Sequence, residues 1–113
     1  MREADAQRFF LRYRDAFNTL DGLAVAALWH TQGGIAQDGS VTWWADAAPM
    51  RDNMVALCEV YRQAGFARTD FELTAVHPLG AQFAWANVQW MIYHHDSSVL
   101  QRFCTAYHLI HTH

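Results

Sequence analysis

The chain has 113 residues, enough for one domain (residues 1–113) with a buried core, and its hydrophobic fraction of 52% excludes disorder. Its formal net charge of −3 argues against nucleic acid or an anionic membrane as a partner. The first residues are charged and no apolar run is long enough to span a bilayer, so we expect a cytoplasmic protein.

Two helices are predicted at the start of the chain. One apolar face at helical spacing predicts the first helix over residues 4–19: Phe9, Phe10, Tyr13, Phe17 and Leu20. Arg8 and Arg12 fall on its opposite side, which we interpret as a solvated face. An aspartate that can act as an N-cap then precedes a second, short helix, which runs through Trp29.

A hairpin and a third helix follow. Residues 35–44 are predicted to form the hairpin, with Asp38 and Gly39 as its turn, because Asp-Gly is a frequent two-residue hairpin turn. Asp46 is placed to cap the third helix, and Met54 lies on the inner apolar stripe of that helix.

The rest of the chain predicts a meander of strands over residues 68–77, 82–95 and 99–112, with Asp96 and Ser97 turning the last hairpin. Helices gathered on one face of a mostly antiparallel sheet define an α+β fold class. Nothing follows the last strand, so we expect its outer edge to be uncovered, and exposed edges recruit partners.

The register of the last hairpin predicts its two faces. A two-residue turn pairs His95 with Ser98. One face is then almost entirely apolar and should meet the helices: Ala84, Ala86, Val88, Trp90, Ile92, Phe103, Thr105, Tyr107 and Leu109. The other face mixes aromatic, amide and charged groups: Phe83, Trp85, Asn87, Gln89, Met91, Arg102, Cys104, Ala106 and His108.

This second, convex face favours self-association. An uncovered patch that contains Phe83, Trp85 and Met91 would exceed what monomers usually expose. A twofold contact between equal patches is the commonest solution. We therefore expect a homodimer with Trp85 and Arg102 at or near its interface.

Seven histidines raise the question of a metal site. His94 and His95 lie at the turn end of the hairpin, whereas His111 and His113 lie at its opposite end, more than ten residues away at roughly 3.3 Å per residue. They cannot share an ion within one chain, although a site bridging two subunits through the terminal histidines stays open. We expect no metal and no other cofactor.

The order of these elements resembles the nuclear transport factor 2-like superfamily. Tyr13, Asn18 and Asp21 look like the first-helix segment of ketosteroid isomerase, in which a tyrosine is followed five and eight residues later by Asn and Asp. Residues 76–109 look more like the uncharacterised SnoaL-like group. The resemblance implies a cone-shaped fold in which three N-terminal helices pack on a curved, mostly antiparallel sheet, with a pocket between them.

The same resemblance indicates candidate catalytic residues. Asp38 falls within one residue of the place where ketosteroid isomerase keeps its base aspartate, although Asp-Gly also fits a plain turn. Tyr13 matches the hydrogen-bond donor of that family. The family's second donor, a protonated aspartate, has no counterpart around Tyr107, so Tyr13 and Tyr107 would have to supply the two donors.

Three functions follow from this reasoning. The first is a small-molecule-binding domain for an apolar, ring-containing ligand, with an aromatic pocket lined by Trp29, Trp43, Met54, Trp90 and Tyr107. The second is an enzyme of isomerase, cyclase or dehydratase type, with Asp38 as the base and Tyr13 as the donor. The third is a non-catalytic dimeric assembly module whose tryptophans fill its own pocket.

Overall fold

The computed structural model describes residues 1–30, 32–37 and 39–111, and it confirms an α+β fold with three helices and a curved antiparallel sheet. The elements in chain order are α1 (Glu3–Asn18), α2 (Gly22–Ala26), β1 (Gly33–Gln37), β2 (Ser40–Trp44), α3 (Ala47–Gln63), β3 (Phe66–Leu79), β4 (Phe83–His94) and β5 (Val99–Ile110). No helix within the described ranges has the length and apolarity needed to cross a membrane.

The helix α1 packs through the apolar stripe that its sequence predicts. Ala6, Phe10, Tyr13 and Phe17 are its buried residues, and they recur at intervals of three and four. This spacing places them on one face of the helix, so α1 forms one wall of the core above the sheet.

The helix α2 is shorter than predicted because it ends at Ala26 rather than at Trp29. Its N-cap is Asp21, whose carboxylate accepts the backbone N–H groups of Leu23 and Ala24 over 3.0 and 3.3 Å. A side chain at Gly22 would place a Cβ 2.4 Å from the Cα of Val55, so this glycine is what allows α2 to approach α3.

The five strands form one sheet in the order β2-β1-β5-β4-β3, with antiparallel pairing throughout. The prediction that the last strand leaves its outer edge uncovered is wrong, because β1 pairs with β5 at Ala36 and Ala106. The predicted hairpin at residues 35–44 therefore joins the sheet. The hairpin pairs with β5, which lies some seventy residues later in the chain, and the spacing of neighbouring residues cannot predict such a contact.

The register predicted for the β4–β5 hairpin is confirmed along the strands, as in the pair Trp90 and Phe103. The turn itself differs from the prediction. The N–H of His94 bonds the carbonyl of Ser98 over 2.8 Å, so three residues separate the strands, and Ser97 is left-handed with φ 70°. An irregularity near the turn absorbs the extra residue and restores the predicted register.

The predicted division of the sheet into two faces is also confirmed. Trp90 is 3% exposed and faces the helices. The same face supplies Ala84, Ala86, Val88, Ile92, Thr105 and Leu109 to the buried core. The outer face carries exposed apolar side chains, namely Phe83, Trp85 and Ile110.

Candidate functional site

Four aromatic rings converge where α1 and the segment after α2 meet the sheet. The indole Nε1 of Trp29 donates to the hydroxyl of Tyr13 over 3.3 Å, and the indole Nε1 of Trp90 donates to the hydroxyl of Tyr107 over 2.9 Å. The ring centroids of the two tyrosines lie 6.2 Å apart. We call these four residues the aromatic cluster, and its two hydrogen bonds hold both phenol groups in place.

Both tyrosines of the cluster remain protonated at neutral pH. Burial raises the pKa of Tyr13 well above its ordinary value, and the nearby Tyr107 raises it further. Burial likewise raises the pKa of Tyr107 to about 12, against smaller opposing effects from hydrogen bonds to Trp90 and Thr105. Since Tyr13 accepts the indole N–H through its oxygen, its own hydroxyl proton can be donated to a bound group.

A large cleft opens beside the aromatic cluster. Its volume is about 1050 Å³, and it lies between α1, the segment after α2, the β1–β2 hairpin and the adjoining ends of β4 and β5. Tyr107 contributes from the helix-covered face of the sheet and His108 from the outer face. The Phe, Tyr and Trp residues that line it are Phe9, Tyr13, Trp29, Trp43, Phe83, Trp85 and Tyr107.

A much smaller cavity, of about 50 Å³, lies deeper between the helices and the sheet. Met54 and Trp90 line it together with Tyr13 and Tyr107. A water molecule occupies about 30 Å³ in the liquid, so this space is far too small for a ring-containing ligand. Side chains of the core therefore fill most of the interior between sheet and helices.

The residues predicted to line one pocket are divided between these two spaces. Trp29 and Trp43 line the large cleft, whereas Met54 and Trp90 line the small cavity. Tyr107 borders both. The exposures differ accordingly, since Trp43 is 65% exposed and Met54 is 1% exposed.

The two predicted catalytic residues have different outcomes. Tyr13 borders both the cleft and the cavity, and its hydroxyl is held by Trp29 as described. Asp38 lies outside the described residues. Gln37 and Ser40 on either side of the turn are paired in register, as the predicted hairpin requires.

Several cleft residues were not predicted as part of a site. Phe9 was assigned to the apolar core face of α1, although it lies one helical turn before Tyr13 and so shares its side of the helix. Arg8 and Arg12 were interpreted as solvated, and Trp85 was assigned to a dimer interface. The spacing to Tyr13 is the one sequence signal that could have identified Phe9.

Other reactive groups do not cluster in the part of the chain that the structure covers. Within residues 1–30, 32–37 and 39–111, no three His, Cys, Asp or Glu side chains are placed to hold a metal ion. Cys58 is buried and Cys104 is exposed, and both are free thiols.

The family described as NTF2-like protein (DUF6841) matches residues 2–113. The chain therefore belongs to this NTF2-like family, which confirms the resemblance seen in its sequence. Curated proteins contain no match to it. The narrower resemblance to the SnoaL-like group and to ketosteroid isomerase stays an interpretation of the sequence.

A solved structure has a similar fold. It is a domain of unknown function with a cystatin-like fold from Nostoc punctiforme PCC 73102, and the TM-score is 0.66. The two sequences are 17% identical, and the match covers 96% of this chain and 67% of the other. At this identity the similarity shows the fold alone.

Proposed function

We propose that this NTF2-like domain binds an apolar, ring-containing small molecule in the large cleft. The observation that carries the proposal is an open volume of about 1050 Å³ bordered by Phe9, Trp29, Trp43 and Tyr107. Small-molecule sites are typically concave spaces of roughly 300–1,000 Å³ with apolar and aromatic walls and a few polar groups. The flat faces of these side chains suit a ring, which can stack on them.

Tyr13 supplies the polar contact of the proposed site. Its hydroxyl is held by Trp29 and stays protonated, so it can donate a hydrogen bond to an oxygen atom of the ligand. One fixed donor beside apolar walls orients a ligand without a large desolvation cost.

Binding can be tested with N-phenyl-1-naphthylamine, an uncharged two-ring dye whose fluorescence increases in apolar surroundings. Trp43→Ala should weaken its binding about three- to tenfold, because one aromatic contact is worth about 0.5–1.5 kcal/mol. Trp44→Ala is the control, since Trp44 follows Trp43 on β2 and packs against the core but does not border the cleft; circular dichroism checks that both variants fold. A dye that does not bind saturably, or that binds the two variants equally, would contradict the proposal.

An enzyme of isomerase or lyase type is a second candidate, favoured by two neighbouring protonated tyrosines, the buried Tyr13 and the half-buried Tyr107. Two such donors can stabilise negative charge that develops on a carbonyl oxygen. Asp38 would act as the base. The test is isomerisation of a β,γ-unsaturated ketosteroid, followed by the ultraviolet absorbance of the conjugated product.

In that assay, Asp38→Asn and Tyr13→Phe should each lower the rate by about 10²–10⁴-fold, because each removes a proton-transfer or oxyanion contact. Circular dichroism of both variants checks that they fold. Turnover that survives Asp38→Asn would exclude the proposed mechanism.

We also propose that the domain forms a homodimer through the outer face of its sheet. Phe83 is 39%, Trp85 is 45% and Ile110 is 43% exposed on this face. Trp85 and His108 stack across the strands, with ring centroids 5.2 Å apart and planes within 5°. Such a flat, partly apolar surface favours contact with an equal surface of a second copy.

A further inference from the structure

The α1 side of the cleft carries charged groups beside its aromatic ones. Asp5, Arg8 and Arg12 all border the cleft, together with Phe9 and Tyr13. Among the described Asp, Glu, Lys and Arg residues of the cleft lining, two arginines face one carboxylate, which leaves one positive charge. The chain as a whole has a formal net charge of −3, so the cleft is locally opposite in sign to the rest of the protein.

The single carboxylate is already satisfied within α1. Oδ2 of Asp5 accepts the backbone N–H of Arg2 over 2.9 Å, and Oδ1 forms an ion pair with the guanidinium of Arg8. The backbone N–H of Arg2 lowers the pKa of Asp5, and the charge of Arg8 contributes to the same shift. Asp5 therefore neutralises the charge of Arg8, and both of its carboxylate oxygens are already in use.

Arg12 has no comparable partner among the residues that the structure describes. It forms no ion pair with a described residue and lies one helical turn after Arg8. Two like charges at this spacing repel each other and destabilise a helix slightly. An anion beside Arg12 would relieve this repulsion, and a planar guanidinium binds a carboxylate through two parallel hydrogen bonds.

We propose that the ligand of the cleft is a ring-containing organic acid that is ionised at neutral pH. Its ring lies against the aromatic wall that Phe9, Trp29 and Trp43 form, and its anionic group contacts Arg12. This inference rests on the proposed function and adds the charge of the ligand to it. A ligand with an apolar ring and one anionic group uses both sides of the cleft, whereas a neutral ring uses only one.

Two dyes with the same ring system separate the two claims. The anion 8-anilinonaphthalene-1-sulfonate and the uncharged N-phenyl-1-naphthylamine differ by one sulfonate group. Fluorescence titration should show that the wild-type chain binds the anion about tenfold more tightly than the neutral dye, as one charge-assisted contact allows. Raising the salt concentration should weaken binding of the anion and spare the neutral dye, because salt screens an exposed charge pair.

Arg12→Gln should weaken binding of the anionic dye about tenfold and leave binding of the neutral dye unchanged. Arg51→Gln is the matched control, because Arg51 is an exposed arginine on α3 that does not border the cleft and the change in net charge is the same. Both substitutions are at exposed positions, so neither should prevent folding.

The outcomes distinguish the inference from the function on which it rests. Equal affinity for the two dyes, or equal effects of the two arginine variants, would overturn the inference and leave the proposed function standing. If neither dye binds saturably, or if Trp43→Ala changes the binding of neither, both the proposed function and the inference are overturned. If salt does not weaken binding of the anionic dye to the wild-type chain, the inference is overturned without the need for a variant.

Discussion

The interior of the fold and the cleft at its side use aromatic residues in opposite ways. Between the helices and the sheet, Phe10, Tyr13 and Trp90 pack with ring centroids 5.7–6.5 Å apart and leave a cavity of only about 50 Å³. At the side, Trp43 and Trp85 are 65% and 45% exposed and border about 1050 Å³. The comparison shows that aromatic side chains can either fill the core or line a cleft. Which of the two occurs depends on the residues that pack against each ring.

The sharpest way to test this contrast is Met54→Ala. Met54 is 1% exposed and borders the small cavity, so its removal enlarges a space that is too small for a ring-containing ligand. We expect the free energy of unfolding to fall by about 2–5 kcal/mol, as for other buried methionines. Urea unfolding measures this change, and a loss within experimental error would mean that Met54 lines an open pocket.

Alkaline pH tests whether the aromatic cluster between the two regions is shielded from solvent. The folded pKa of Tyr107 is raised from 10.0 to about 12, and that of Tyr13 lies well above 10.0 as well. Because these pKa values are raised above the unfolded value, the stability that they contribute is fully present below about pH 10 and is lost as the pH rises towards 12.

The expected loss is about 1.4 kcal/mol per pH unit for each of these two tyrosines while the pH lies between its unfolded and folded pKa values. Tyr107→Phe should make the dependence shallower, because the phenylalanine cannot ionise. Urea unfolding at a series of alkaline pH values measures the slope, and an unchanged slope in the variant would mean that Tyr107 reaches solvent in the folded chain.

The proposed dimer can be tested by a substitution on the outer face of the sheet, which the helices do not cover. Arg102 is exposed on that face, so Arg102→Glu should weaken association about tenfold without unfolding the helices. Sedimentation equilibrium measures the dissociation constant. A wild-type chain that sediments as a monomer at micromolar concentration would contradict the dimer itself.

The smallest effect is expected for the stability of Trp43→Ala. Trp43 is 65% exposed, so its removal should change the free energy of unfolding by no more than about 0.5 kcal/mol. Urea unfolding of this variant is the direct counterpart of the Met54 experiment. A loss as large as that of Met54→Ala would show that Trp43 belongs to the core.

The register of the β4–β5 hairpin was predictable because the side-chain period of a strand is two. A slip by one residue would move Tyr107 to the face opposite Trp90 and Ile92, and the irregularity near the turn prevents that slip despite the longer loop. The helix α1 was predictable for a similar reason, since its buried residues recur at helical spacing. Both signals come from residues that are near one another in sequence or joined by one turn.

The candidate site was predictable only in part. The sequence predicts Tyr13, Trp29 and Tyr107 as site residues, and the structure brings these three together. The sequence also predicts that Met54 and Trp43 line one pocket, but they border different spaces. A large apolar side chain has the same composition whether it fills a core or lines a cleft, and only its neighbours distinguish the two cases.

By itself, the sequence determined the class of fold, the helices, the hairpin register and the buried face of the sheet, because each follows from local periodicity and turn chemistry. The tertiary structure alone decided that β1 pairs with β5 and that Arg8 and Arg12 border an aromatic cleft. Both depend on contacts between segments far apart in the chain, and the pattern of neighbouring residues does not specify such contacts.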